Sequence, residues 1–422
     1  MELKRYRLGD IAKVEISGID KKSKEGQQNV LLCNFVDVYY NWAVTKDLES
    51  KFMPATASDA EIDIFTLHKG QVAITKDSET RDDIGVATYI ADDFDSLVVL
   101  GYHTALITPD EKQLCGKYLN ALMHSAYFQR YWSNNASGSG QRYTLSQKVI
   151  EDAPVYLPNI DIQRKVGDFF SELDRKICLN KKENETLEAL AKQIYDYWFV
   201  QFDFPDANGR PYKSTGGKMV WNETLKREIP EGWEVKCLNE VCETFLGGTP
   251  STEIKSFWEK GTLHWLNSGE VAAFPIVDSE KKITELALQK SATTLMPKGS
   301  VTLSITRHLR ASILGIDACI NQSVAGIKES STLRRSYIYP LICNEIPRYF
   351  SLRTGAQQPH INKETIDSTN IILPQDFVLV SYYRLVDDIF ETLLNNALQI
   401  KEIELLNRNI LPLLINGQIK LC

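Results

Sequence analysis

The chain has 422 residues, a formal net charge of -7, 43% hydrophobic and 24% charged side chains, and eight cysteines. That length exceeds a single core and fits two or three domains of ordinary globular composition. No apolar run reaches the roughly 18 residues of a membrane helix, no charged-then-apolar leader is present, and the cysteines show no metal-ligand spacing, so a cytoplasmic protein with reduced thiols and no membrane partner is expected.

The acidic balance disfavours attraction of nucleic acid to the whole surface. DNA binding needs only a local basic face, however, and neighbouring subunits can supply further phosphate contacts.

Tyr6 to Val14 reads as a short amphipathic opening, with Leu8, Ile11 and Val14 at helical spacing. Strands are expected around Val30 to Leu32, Ile62 to Phe65, Val72 to Thr75, Gly85 to Ile90 and Leu97 to Tyr102. A helical pattern covers Leu114 to Trp132, and a polar loop runs from Asn134 to Arg142. Past the first long helix, a Pro/Gly/Lys-rich stretch from Phe204 to Lys218 reads as a linker. Further strands are expected at Leu263 to Asn267, Ala292 to Met296, Val301 to Ile305, Ala311 to Leu314 and Ile338 to Leu341. A helical piece follows around Leu341 to Leu352, then a second polar loop from Thr354 to His360.

Two stretches organise the chain. From Arg164 to Trp198 there is no proline and one glycine, Gly167, and a seam runs Val166, Phe170, Leu173, Ile177, Asn180, Asn184, Leu187, Ala191, Ile194, Trp198 in alternating four-three steps. Such a heptad stripe faces one partner along a helix of roughly 50 Å. From Val386 the pattern returns as Ile389, Leu393, Asn396, Ile400, Ile403, Asn407, Ile410, Leu414. Every seam residue from Leu173 to Trp198 has its counterpart 216 positions later, and Leu157-Pro158 matches Leu373-Pro374 in the same register. The chain is therefore an internal repeat of a large unit. Two heptad helices in one chain either pair with each other or pack separately on their own domains. Antiparallel pairing of Leu173 with Leu414 sets Asn180 opposite Asn407, where buried Asn fixes register at a cost in stability.

Catalytic patterns are missing. The segments Gly138-Ser139-Gly140 and Gly247-Gly248-Thr249-Pro250 lack the Gly-Lys-Ser/Thr ending of a phosphate loop. There is no Asp/Asn-Pro-Pro-Tyr/Phe segment of an adenine methyltransferase and no Pro-Asp with Glu-x-Lys of a nuclease. The six histidines are scattered singly and read as surface or loop residues; Asp82, Asp83, Asp203 and Asp206 read as solvated turn residues. No metal site is expected. What gathers instead are side chains suited to base edges and phosphates. Asn134, Ser139, Gln141 and Arg142 sit in the first half, and Thr306, Arg307, His308 and Arg310 in the second, with Gln357, Gln358 and His360 at the repeat position of the first loop.

Asp196-Tyr197-Trp198-Phe199-Val200-Gln201-Phe202-Asp203-Phe204-Pro205, continuing through Asn208-Gly209-Arg210-Pro211 to Met219, resembles the central region of the specificity subunits of type I restriction-modification systems. Ile229-Pro230-Glu231-Gly232-Trp233, Gly247 to Ser251, Asn321 to Ile327 and the Ile415-Asn416-Gly417 ending are similar to that family too. The resemblance implies an α+β fold: two repeated β-rich target recognition domains, separated and joined by two long helices in an antiparallel coiled coil. The expected divisions are 1–158 and 229–374 for the domains, 159–203 and 375–422 for the helices, and 204–228 for the linker.

The family implies recognition of an interrupted double-stranded DNA target, one half-site per domain, without catalysis. Two methyltransferase subunits dock on the helices and restriction subunits join them; S-adenosylmethionine, ATP and magnesium belong to those partners. Methylation-only or phase-variable service, or a protein-binding scaffold, are the alternatives. Base or phosphate contact is expected from the loop residues named above. Pairing or docking is expected from Leu173, Ile177, Asn180, Leu187, Leu190, Ile194, Ile389, Leu393, Ile400, Ile403, Leu406, Asn407 and Ile410. The first half lacks a Gly-Gly-Thr-Pro-Ser loop, having Ile16-Ser17-Gly18-Ile19-Asp20 near that place, so its reader is expected to be built differently.

Overall fold

A computed structural model describes residues 3–140, 142–355, 357 and 359–419. The chain divides into two compact units, Met1–Cys178 with Glu402–Cys422, and Leu179–Lys401. The long helices Ile160–Tyr195 and Asp376–Ile415 each contribute a part to both. The architecture is α+β. Among the described residues no helix is long and apolar enough to cross a membrane.

In the first unit, a five-stranded sheet runs Ala12–Ile16, Thr104–Pro109, Val72–Thr75, Ala87–Ile90, Ala43–Val44, antiparallel except for the last pair. Val72–Thr75 and Ala87–Ile90 are buried at every position because both faces are covered. Val72 and Ile74 meet Tyr118, Leu119, Phe128 and Trp132 from the helices Gly116–Met123 and Ala126–Asn135. Ala73 faces the other way, onto Val30, Leu32 and Val99 of a three-stranded sheet.

Gly85 closes this core. Its φ is +78°, and a Cβ there would lie 2.3 Å from Trp132 Cδ1. Gly85→Ala is expected to destabilise the unit by about 1–3 kcal/mol through overpacking and backbone strain. The check is the urea midpoint; an unchanged midpoint would refute this account of the site.

In the second unit, Thr244–Leu246, Val324–Ile327, Val301–Ser304 and Arg310–Ile313 form an antiparallel sheet. A second sheet orders Lys281–Ile283, Leu263–Leu266, Ala318–Ile320 and Thr294–Met296. The core is aromatic. A π-helical turn, Asp196–Val200, extends the first long helix and turns Trp198 and Phe199 inward together. Phe199 then packs 4.7 Å from Tyr382 and 4.9 Å from Tyr337, and Phe204 lies 4.9 Å from Trp233 and 4.6 Å from Tyr212.

The stretch read as a linker is thus held in place by its aromatics, and it carries its own hairpin, Met219–Asn222 with Arg227–Pro230. Asp206 holds a turn as expected, whereas Asp203 is buried rather than solvated. Asp203 accepts from the Ser214 backbone N (2.7 Å) and Oγ (2.6 Å), and Asp206 accepts from the Asn208 and Arg210 backbone nitrogens.

The repeat is explicit. Helices Gln147–Glu151 and Lys363–Asp367, then strands Pro154–Leu157 and Asn370–Leu373, occupy equivalent places, capped by Ser146 and Asn362. Each strand pairs antiparallel with the strand that opens its repeat, Lys4–Arg7 or Glu234–Cys237. The backbone N of Leu8 donates to Ala153 O, and that of Leu238 to Thr369 O, both at 2.9 Å.

Several local expectations change. Tyr6 to Val14 is strand, one helical turn (Leu8–Ile11) and strand. Ile62 to Phe65 belongs to a helix, Asp59–Phe65, because the Glu61 carboxylate accepts from the Ser58 backbone N (2.9 Å) and closes a capping box. Ile338 to Leu341 lies inside the helix Arg335–Ser351. The helix expected over Leu114 to Trp132 breaks at His124 and Ser125, whose hydroxyl caps the second segment at Phe128 N. His124 is no surface residue. It stacks on Trp42 at 4.3 Å with Nε2 at 2.9 Å from Ala87 O, and desolvation pushes its pKa down to about 4.

The long helices pair antiparallel. In the second unit Asn180 Nδ2 donates to Gln399 Oε1 (3.2 Å), while Asn184 Nδ2 donates to Leu393 O (3.1 Å). Asn396 Nδ2 donates to Asn184 Oδ1 (3.1 Å) and Glu183 Oε2 (2.9 Å). The expected pairing of Asn180 with Asn407 is therefore displaced by about one heptad. Leu187, Ile194 and Ile389 border the core that holds Leu393. In the first unit Leu173 and Ile410 border the core formed with Phe170, Leu411 and Leu414. Ile177 is buried, Ile400, Ile403 and Asn407 are half-buried, and Leu190 and Leu406 lie off the seam at 42% and 39% exposure.

Candidate nucleic-acid interface

In the second unit the turn after Val301–Ser304 is set by a buried serine. Ser304 Oγ lies 2.9 Å from His308 O and 3.3 Å from Thr306 O, and Leu309 anchors inward at 5% exposure. Between these anchors Arg307 takes a left-handed conformation, φ +52°. Arg307, His308 and Arg310 consequently project to solvent. Among the described residues none of their side chains has a hydrogen bond, an ion pair or an aromatic ring partner. Among the described residues, no internal carboxylate pairs the charges of Arg307 and Arg310.

The second polar loop joins them. Thr306 and Thr354 both form bridges with His360, and Ile361 N donates to Ile305 O at 3.2 Å. His360 and exposed Gln357 therefore share this face; Gln358 lies outside the described residues. Arg353 was not singled out from the sequence. Its Nη1 donates to Arg307 O (3.3 Å), and its guanidinium lies 4.2 Å over Phe350. Its place directly before the Thr354 loop was the only available signal.

The glycine loop has a structural task. A Cβ on Gly247 would lie 1.8 Å from Ile320 O, while Trp265 Nε1 donates to Gly248 O at 3.2 Å.

In the first unit the polar loop is more ordered than expected. Asn134 lies in the last turn of the helix Ala126–Asn135, and Ser139 and Arg142 lie on a hairpin, Ser137–Ser139 with Arg142–Thr144, whose second strand pairs with Asp77–Ser78. All three named residues are exposed; Gln141 lies outside the described residues. The hairpin carries Arg142 to Tyr102, whose hydroxyl accepts from Nη2 at 3.3 Å, and to Asp77, whose Oδ2 is 3.7 Å away. Lys76 Nζ and His103 Nδ1 reach the same carboxylate oxygen at 2.8 and 2.5 Å. Burial pushes the Asp77 carboxyl up, but hydrogen bonds from Lys76, Thr144 and His103 outweigh it and hold the pKa at about 2. Arg81 lies 5.2 Å over the Tyr143 ring. Lys76, Asp77, Arg81, Tyr102 and His103 were all missed, because strand pairing far along the chain brings them together.

Among the described residues no group of three or more His, Cys, Asp or Glu is placed to hold a metal. Asp82 accepts from Ser133 Oγ and Asp83 from Tyr39 Oη, as turn residues do.

The family model of the type I restriction modification DNA specificity domain matches residues 2–189 and again residues 230–404. The chain belongs to this family. It is 25% identical over 310 residues to the type I restriction enzyme MjaIX specificity subunit of Methanocaldococcus jannaschii, covering 72% of this chain and 69% of that protein. It is 23% identical to the HindI specificity subunit of Haemophilus influenzae, with 99% of each chain covered. In fold it resembles the crystal structure of the type I restriction-modification S subunit from M. genitalium, with a TM-score of 0.58 at 11% identity, over 98% of this chain and 96% of that one. As a type I specificity subunit it is the DNA-recognition component of a restriction-modification complex and has no catalysis of its own.

Proposed function

We propose that this specificity subunit reads an interrupted, asymmetric duplex target, one half-site by each unit. Residues 1–158 and 229–374 act as the recognition domains. The long helices space them, dock two methyltransferase subunits and bring in restriction subunits, with S-adenosylmethionine, ATP and magnesium held by those partners in the cytoplasm. The observation that carries this reading is the turn bearing Arg307, His308 and Arg310. Among the described residues these three cationic or protonatable side chains stand without internal partners, on a protein whose formal net charge is -7. Cations left unpaired on such a surface suit an anionic ligand. In the first unit Arg142 and Ser139 take the corresponding role. Leu190 and Leu406, apolar and outside the pairing seam, suit a docked protein surface.

The test is methylation mapping of host DNA after co-expression with the methyltransferase subunit, with and without this chain. A chain-dependent methylated adenine motif in two parts with a fixed gap is expected. A stable complex without any such motif would overturn the reading and favour a scaffold.

A further inference from the structure

We propose that Asp77 is a positioning residue for base recognition, a buried carboxylate that orients the Arg142 guanidinium toward a guanine edge in the half-site read by the first unit. The inference rests on the reading of Arg142 as a DNA contact and adds what aims it. The Asp77 side chain is only 8% exposed, so it does not itself meet a ligand, whereas that of Arg142 is 62% exposed. Its carboxylate underlies Lys76, His103 and Arg142 together.

The geometry assigns the hydrogens. At 2.5 Å His103 Nδ1 donates to Asp77, so it has no lone pair for Arg142, whose Nη2 is 3.1 Å from the same nitrogen. Arg142 is held instead by the Tyr102 hydroxyl and the field of Asp77. His103 supports this arrangement in a left-handed backbone conformation, φ +71°, kept by Lys76 N donating to His103 O at 2.9 Å. A non-glycine residue persists there only where its surroundings over-determine it. The hairpin fixes the opposite side, with Thr144 paired to Asp77 and Tyr143 to Ser78.

The patch remains cationic after Asp77 is counted, because Lys76 and Arg142 outnumber it. An arginine fixed at one edge by a protein acceptor keeps its remaining donors for a ligand. Guanine, with O6 and N7 side by side, is the base edge that matches a guanidinium fork. Among the described residues Arg307 and Arg310 in the second unit have no such carboxylate, which distinguishes a pre-aimed reader from freely adapting cations.

The experiment compares methylated motifs made by the full chain with its methyltransferase subunit, for wild type, Arg142→Ala, Asp77→Asn and Asp77→Glu. Asp77→Glu keeps the charge under the cations while displacing the carboxylate, so it covers the case in which Asp77→Asn fails to fold. A still-fixed second half-site reports a folded, assembled protein. The expected result is that Arg142→Ala and the folded Asp77 variants relax the same guanine position. Preference there should fall about tenfold to a hundredfold, with the gap and the other half-site unchanged. If Arg142→Ala relaxes that position and both Asp77 variants keep it, the positioning role is overturned and the Arg142 contact stands. If Arg142→Ala itself leaves the motif intact, the contact fails and the inference with it.

Discussion

Arg307→Ala combined with Arg310→Ala is expected to abolish tight recognition of one half-site while leaving the fold intact. The two parts of that statement have one cause. Neither side chain has an internal hydrogen bond, ion pair or ring partner among the described residues, so truncation removes nothing from the folded protein, and a stability change within about 0.5 kcal/mol is expected. The whole effect should appear on DNA. An arginine bidentate to guanine is worth about 1–3 kcal/mol at its own base pair, so its removal relaxes the motif there. An arginine on phosphate weakens all sequences alike and lowers the salt slope by roughly 0.9 per contact. Fluorescence anisotropy of a target duplex with the assembled complex across a potassium chloride series separates the two cases. Unchanged affinity, slope and motif in a folded double variant would remove this turn from the interface.

What could be read from the sequence follows the range over which each interaction acts. The long helices were legible because a four-three seam repeats over many turns, and the repeat because Leu157-Pro158 returns at Leu373-Pro374. Strands such as Val72–Thr75 were legible as short β-branched, apolar runs bounded by turn residues such as Lys69-Gly70. Ile62 to Phe65 was not, since four apolar-rich residues fit either period and the Ser58–Glu61 cap decided the matter. Heptad seams show which residues face a partner but leave the register degenerate by whole heptads, and Asn180 accordingly meets Gln399 rather than Asn407. At the candidate interface, residue type alone picked out Arg307, His308 and Arg310, which need no partner to be recognised. Asp77 and His103 were invisible because their meaning arises only when the Arg142–Thr144 strand pairs beside them.

The register itself is expected to depend on one buried pair. Asn184 and Asn396 are 7% and 6% exposed. Asn184 supplies the hydrogen for Leu393 O and the acceptor for Asn396 Nδ2. Asn184→Leu leaves one Asn396 amide N–H without its acceptor, while Glu183 Oε2 keeps the other and Leu393 O keeps its helical donor, so it should destabilise the second unit by about 1–3 kcal/mol. Leucine at Asn396 as well removes the orphaned amide and restores apolar packing, so the double variant should recover most of that loss. Additive single-variant effects in urea unfolding would show that the pair is not coupled. Recovery of stability is not recovery of specificity. Once both seam positions are leucine, a one-heptad slip places leucine against apolar seam residues at little cost, because the polar match that penalised it is gone. Hydrogen exchange across Leu179 to Tyr195 should then report more than one population, whereas the wild-type chain gives one. A single protected population in the double variant would assign the register to the aromatic core around Tyr195, Phe199 and Tyr382 instead.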